Sequence, residues 1–421
     1  MTLTQRDAES IWHPYTQQLN ARPPLPVLSG KGAYLYDEEG CRYIDAVSSW
    51  WVTLHGHSHP YIVERVTAQL QQLDQVIFAG FTHEPAIALA ENLLAILPEG
   101  QKKVFYTDNG STAVEVALKM CVQYWFNKGK SRKKVLAFNN GYHGDTFGAM
   151  SVSGRSAWTA PFDNLLFEVI FIDTPTEENL PVLKEIISVH AAELACFVYE
   201  PLVQGSAGML MYEAPALDQL MAHCLEEGVL MIQDEVFTGF GRTGKNFAAD
   251  HLKTQPDVMC FSKGLTGGTM PLGVTTCTED IYNAFLSEDK LKTLFHGHSF
   301  TANPLACTAA LASIELLLQH EAQDNIRRIC NRHAEFSLKI CGHQKVAAVR
   351  QTGTIIAIEW QTESGTSYFS KLRNLLYDYF MDKGILMRPL GNVIYILPPY
   401  CISDEDLKKI YQEIQNALEI F

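Results

Sequence analysis

Phe261-Ser262-Lys263-Gly264-Leu265-Thr266-Gly267-Gly268 joins the apolar run Val258-Met259-Cys260-Phe261 to a glycine-rich turn. The run reads as a buried strand, with Lys263 at its end. Taking a lysine out of water disfavours its charged form, so a residue placed there pairs with an acid or performs chemistry. An amine of lowered pKa forms Schiff bases with carbonyl compounds. Taken alone, Lys263 reads equally as a surface lysine.

Upstream, Val229-Leu230-Met231-Ile232-Gln233 is a continuous apolar run of the kind buried in parallel sheets, and Asp234-Glu235-Val236 closes it. Open α/β sheets hold ligands at the carboxyl ends of their strands. Pyridoxal phosphate needs a carboxylate against its ring nitrogen, to keep the ring protonated as an electron sink. Asp234 meets that need, and period-2 alternation puts Val236 on the same face, pressing on the ring. Asp234 alone is a turn or cap residue; with Lys263 it is half of a cofactor site.

At 421 residues the chain exceeds what one hydrophobic core serves, and two domains are expected. A formal net charge of −14 argues against a nucleic-acid partner, and no basic run is long enough to reverse it. The ten cysteines never occur as C-x-x-C and sit mostly in apolar surroundings, as buried thiols do. The first ten residues carry no apolar core of a signal peptide, and no stretch reaches the length of a membrane helix. The expectation is a cytoplasmic protein with no membrane partner.

Between about 60 and 295 apolar runs of strand length alternate with helical periodicity, which predicts an α/β fold with a mostly parallel, doubly wound sheet. Expected strands include Val104-Tyr106, Lys134-Phe138, Glu168-Ile172 and Leu194-Tyr199; expected helices include Tyr61-Leu73, Glu84-Leu97, Ala113-Phe126 and Leu305-Leu318. A hairpin over Gly32-Asp45 and a βα pattern with strands near Gly353-Glu359 and Val393-Leu397 make a smaller domain from both termini. The predicted division is 1–59 (part of the small domain), 60–300 (large domain) and 301–421 (small domain).

Thr107-Asp108-Asn109-Gly110-Ser111-Thr112 lies between a strand and a helix, where free amides and the helix dipole favour an anion. The plain alternative is a cap by Asp108 or Ser111. Tyr142, between glycines after a strand, is placed to stack on a flat ring. His55-Gly56-His57-Ser58-His59 would set three histidines on one strand face, but Gly56 and Pro60 make it a loop, and no metal is expected. Gly239-Phe240-Gly241-Arg242-Thr243-Gly244 spells G-x-G-x-x-G, yet no helix opens there as a dinucleotide site requires.

The lysine turn, Asp234-Glu235-Val236, Glu200-Pro201-Leu202-Val203-Gln204-Gly205 and the Gly110-Ser111 helix start together resemble the class III pyridoxal-phosphate aminotransferases, over nearly the whole chain. Trp12-His13-Pro14-Tyr15-Thr16, Ser48-Ser49-Trp50-Trp51 and Asn140-Gly141-Tyr142-His143-Gly144-Asp145 narrow the likeness to the biotin-pathway branch. The resemblance implies a fold-type I homodimer with shared active sites. Lys263 would hold pyridoxal 5′-phosphate, Asp234 would pair with its ring nitrogen, Gly110 and Ser111 would take the phosphate, and Tyr142 would stack on the ring. His298-Ser299 would reach the phosphate from the other subunit; the family commonly has Pro-Thr there, and the serine keeps the hydroxyl. Tyr15, Trp50, Gly297 and Arg388 match substrate contacts, with Asp145, Arg242 and Tyr395 as further ones. The implied reaction is ping-pong transfer of an amino group from S-adenosylmethionine, or from lysine in some relatives, to 7-keto-8-aminopelargonate. Class III transaminases acting on ω-amino acids or diamines are the nearest rivals; Trp50 and Tyr15 favour a long apolar substrate instead.

Overall fold

The computed structural model describes residues 1–362, 366 and 370–421. Its centre is a seven-stranded sheet built from β1 (Gln101–Thr107), β2 (Lys134–Phe138), β3 (Val169–Ile172), β4 (Leu194–Tyr199), β5 (Leu230–Asp234), β6 (Val258–Phe261) and β7 (Gly273–Thr278). The order across the sheet is β1-β7-β6-β5-β4-β2-β3. β5 runs parallel to both neighbours, with Asp234 opposite Cys260 and Leu230 opposite Cys196. β7 runs against both β6 and β1. The sheet is therefore mixed, with one reversed strand in an otherwise parallel array.

β4, β5 and β6 are buried along their whole length, which explains their continuous apolar composition. β7 carries Thr275 and Thr276 instead, and both are satisfied internally. Thr275 donates to the Ala113 carbonyl at 2.7 Å and Thr276 to Gln101 Oε1 at 2.7 Å. Helix Gly110–Asn127 lies on this sheet with nine buried side chains, beginning three residues before the predicted start. Its cap is Asn109, whose side chain accepts from Thr112 N, rather than Asp108 or Ser111. Ser111 is thereby left for another task.

Helix Pro304–Leu317 is apolar nearly all round and packs against helices Pro60–Gln72 and Glu84–Ile96. Strands Val27–Lys31, Tyr34–Asp37 and Arg42–Asp45 form a small sheet with Ile385–Leu386, so both ends of the chain meet in it. A three-stranded sheet, Val346–Thr352, Ile355–Trp360 and Val393–Ile396, adds a strand that periodicity did not predict.

Two histidines of the alternation are held by bonds within the fold. His55 bonds Ser313 and His57 bonds Asp45, so the two rings face different partners. Gly239–Gly244 forms turns, and only a short 3-10 turn at Ala248–His251 follows. Glu235 ties this region down, accepting from Thr238 Oγ1, Gln233 Nε2 and the amides of Ala248 and Ala249.

Candidate active site

Among the predicted cofactor residues, Gly110, Ser111, Tyr142, Asp234, Val236 and Lys263 come from the carboxyl ends of β1, β2, β5 and β6, and Glu200 joins them from the end of β4. They meet around one cavity of about 310 Å³. Lys263 lines it from the turn after β6, with a left-handed backbone (φ +47°) that a non-glycine residue adopts only under constraint. Its Nζ lies 4.8 Å from the Trp51 ring centre and 5.7 Å from that of Phe237. Burial pulls its pKa below the ordinary lysine value, against the opposing pull of Asp234 and Glu200. An amine so placed spends more time neutral, the form that attacks carbonyl carbon.

Asp234 closes β5 with 3% of its surface exposed. Oδ1 accepts from Val236 N at 3.0 Å, and Oδ2 accepts from His143 Nδ1 at 2.7 Å. Val236 thus reaches the cavity from a turn, not through strand alternation. Burial alone would discharge His143, but the Asp234 carboxylate outweighs it and holds the imidazole pKa above its ordinary value. Its Nε2 is a buried polar atom with no hydrogen-bond partner among the described residues. Beside this pair, Glu200 Oε2 accepts from Tyr142 N at 2.9 Å and Oε1 from Gly205 N at 3.2 Å. Burial, with Asp234 nearby, pushes the Glu200 carboxyl up to about 7. His143 and Glu200 stand in the sequence only as parts of motifs; their bonding is long-range and has no signature in spacing.

At the other end of the cavity, Gly110 opens the helix and leaves room that a side chain would fill: a Cβ there would lie 2.7 Å from Val236 Cγ1. Ser111 Oγ accepts from Asp145 N at 3.2 Å. Gly144 has φ +135°, and a Cβ on it would sit 2.1 Å from Ser111 Oγ. Free amides at a helix start, a hydroxyl, a carboxylate at the opposite end and an amine between them fit pyridoxal 5′-phosphate. Gly144→Ala is expected to weaken cofactor binding, read by equilibrium dialysis. It should also lower stability by about 1–3 kcal/mol, read by urea unfolding.

A second cavity of about 450 Å³ opens onto Lys263 and carries Tyr15, Trp50, Asp145, Arg388 and Tyr395 in its walls. Tyr15 donates to Asp145 Oδ2 at 2.5 Å and lies edge-on to Trp50, ring centres 5.6 Å apart. The Arg388 guanidinium stands 4.2 Å over the Trp50 ring. Tyr395 OH accepts from Trp51 Nε1 at 2.9 Å. The tryptophan pair stands on a strained segment, with φ of +52°, +58° and +69° at Ser48, Ser49 and Trp51. Asp45 fastens it by accepting from Val47 N, Ser49 N and His57. Asp45 went unnoticed in the sequence, where it merely ends a hairpin.

Arg242 lies in neither cavity wall. It is 1% exposed, and its guanidinium donates to the carbonyls of Pro398, Trp51 and Thr53. Gly297, His298 and Ser299 also lie outside both walls within one chain; Gln75 Nε2 donates to the Ser299 carbonyl.

The sequence pattern of the family described as Aminotransferase class-III matches residues 16–418. The chain is 47% identical to the adenosylmethionine-8-amino-7-oxononanoate aminotransferase of Synechococcus elongatus, over 97% of this chain and 98% of that one. It is 38% identical to the enzyme of the same name from Geobacter sulfurreducens, over 99% and 97%. The crystal structure of the Methanocaldococcus jannaschii enzyme of that name superposes with a TM-score of 0.94 at 38% identity, covering 98% of each chain. An omega transaminase from Pseudomonas jessenii, solved in complex with PMP, gives 0.93 at 25% identity, over 100% and 98%. With its lysine, aspartate and glycine cradle in the positions described, the chain belongs to the class III aminotransferases, which work with pyridoxal 5′-phosphate.

Proposed function

We propose that this aminotransferase converts 7-keto-8-aminopelargonate (8-amino-7-oxononanoate) to 7,8-diaminopelargonate in biotin biosynthesis, with S-adenosylmethionine as the amino donor. The observation that carries the reading is the second cavity: an apolar wall of Tyr15 and Trp50 leads from Lys263 to the Arg388 guanidinium. A long aliphatic chain with one terminal carboxylate suits that shape. The names of the full-length relatives point the same way.

Pyridoxal 5′-phosphate, when bound, supplies the carbonyl for amine exchange and a conjugated ring that spreads the electron pair left by a departing proton. The amides at Gly110 and the Ser111 hydroxyl hold its phosphate. Asp234, itself oriented by His143 and Val236 N, holds a proton on the ring nitrogen. Tyr142 and Val236 both line the cavity and would pack against the ring. Lys263 Nζ takes the proton from the donor carbon and returns one in the second half-reaction, as its lowered pKa allows. Arg388 binds the acceptor carboxylate, and a planar fork does so with two parallel bonds. Tyr15, Asp145 and Tyr395 line the path between, with Arg242 supporting the wall from behind. Donor and acceptor use the cavity in turn.

Arg388→Ala is expected to raise the acceptor KM by about 10- to 100-fold, the worth of a charge-assisted pair, with a smaller change in kcat. Steady-state kinetics with the keto acid varied would show it; an unchanged KM removes Arg388 from this role. The donor is tested by adding S-adenosylmethionine or lysine alone and following the absorbance of the bound cofactor. A response to lysine only replaces the donor, and a response only to an ω-amino acid or diamine removes the pathway reading.

We further infer a homodimer in which Gly297, His298 and Ser299 of one subunit complete the phosphate site of the other. Their position outside the site of their own chain supports this, as do the exposed rings of Phe295 and Phe300 beside them (68% and 64%). The small domain is assigned to 1–59 with 301–421, and the large domain to 60–300. Ten free thiols, six of them buried, favour a reducing, cytoplasmic setting. Among the described residues no helix is long and apolar enough to cross a membrane.

A further inference from the structure

Behind the substrate cavity lies a side chamber of about 500 Å³. The two share Tyr15, Tyr142, Asp145, Trp158 and Ser206 as common walls, so they are neighbouring compartments of one site. Trp158 stands at the junction. Its ring lies 6.3 Å from that of Tyr15 at 83°, extending the aromatic series that runs through Tyr15 to Trp50. The loop that carries it is built rather than loose. Trp158 N donates to Ser156 Oγ, Ser156 N donates to Thr159 Oγ1, and Thr159 Oγ1 donates back to the Ser156 carbonyl. Arg155 anchors the same loop through the carbonyls of Met150, Ser151 and Ser153.

The two substrates of the proposed reaction make unequal demands on this site. The acceptor is a slender aliphatic chain, which the substrate cavity alone can follow from Lys263 to Arg388. The adenosylated donor carries in addition a purine, a ribose and a sulfonium. A flat aromatic base is bound by stacking on an aromatic face, and a ribose by a carboxylate that accepts from its hydroxyls. Trp158 offers the first and Asp145 the second. We infer that the side chamber is a purine-nucleoside subsite for the amino donor, with Trp158 as its stacking face and a determinant of donor choice. This rests on the donor reading above, and it separates Trp158 from Arg388: one recognises the donor's base, the other the acceptor's carboxylate.

The experiment compares Trp158→Ala, Trp158→Leu and Trp158→Phe in the cofactor-loaded enzyme, with adenosine as a probe that lacks the transferable amine. In the wild type adenosine should compete with the donor. Alanine or leucine should raise the donor KM and the adenosine inhibition constant together by about 10- to 100-fold. The acceptor KM should stay within about threefold of its original value, and phenylalanine should restore most of the loss. If alanine prevents folding, leucine fills the volume without an aromatic face and the comparison with phenylalanine stands. Equal rises in both KM values, or adenosine inhibition that ignores the substitution, would overturn the subsite. If the wild-type enzyme accepts lysine and not S-adenosylmethionine, the donor reading falls instead. Adenosine then judges the chamber by itself: Trp158-dependent binding retains a nucleoside site there, and no binding removes it.

Discussion

Lys263→Met should lower kcat by at least about 10³-fold, as expected when the group that moves the proton is lost. The same substitution should raise the melting temperature of the cofactor-free protein at pH 7. Methionine keeps the stem that packs near Trp51 and Phe237 but carries no ammonium into the buried site. The pH dependence follows from the lowered lysine pKa. Between that lowered value and the value near 10.4 of an unfolded lysine, the unfolded chain binds a proton that the folded one does not. Wild-type stability therefore gains as pH rises through this window, and below it the full penalty stands. The advantage of the methionine variant should be largest at neutral and lower pH and shrink toward pH 10. Calorimetry of both apo-proteins across that range checks it; an advantage that stays constant would mean that Lys263 is not a desolvated amine. Borohydride reduction offers a chemical check, because it should attach the cofactor to the wild type and not to the variant.

Asp234→Asn should cost on the order of 10²- to 10³-fold in kcat, the scale of losing one preorganised charge at a reacting group. Asparagine keeps an acceptor for His143 or for Val236 N but supplies no negative charge. His143 is buried and holds its raised pKa through Asp234, so its contribution to stability is fully present below its unfolded pKa and fades as pH rises through the folded one. The variant should therefore be destabilised more at pH 5.5 than at pH 8.5, by about 1–3 kcal/mol at the acid end. Urea unfolding at the two pH values decides it. A loss of activity with no pH-dependent change in stability would place Asp234 on the cofactor alone, without the histidine.

The parts of the fold that were legible are those whose burial is complete. β2 and β4 coincide with their predicted runs because, Lys134 at the edge apart, every residue is buried and all are apolar or aromatic. β7 escaped notice because its threonines look like a loop until their hydroxyls are seen bonding Ala113 and Gln101. Ile385–Leu386 is too short for any period and exists only because Arg42–Asp45 lies beside it. In the site, Lys263, Asp234, Gly110 and Ser111 could be read because each ends a strand or follows one closely. Glu200, Asp45 and Trp158 could not, because what defines them is a partner or a compartment remote in sequence. Arg242 was marked as a further substrate contact by resemblance alone, and no spacing could show that its guanidinium donates to three backbone carbonyls.

The wall that faces the substrate joins the first and last parts of the chain. Trp51 meets Tyr395 across 344 residues, and Ser48 donates to the Leu397 carbonyl across 349. During synthesis the ribosome releases the whole central sheet, lysine included, before either partner exists. Nascent chains should thus hold the cofactor-binding strands with no completed substrate wall, and termination before Val393–Ile396 should leave Trp51 and Ser48 without these partners. Contacts of such long separation also form late in refolding, since closing large loops delays them. The enzyme is in this sense locked until it is finished.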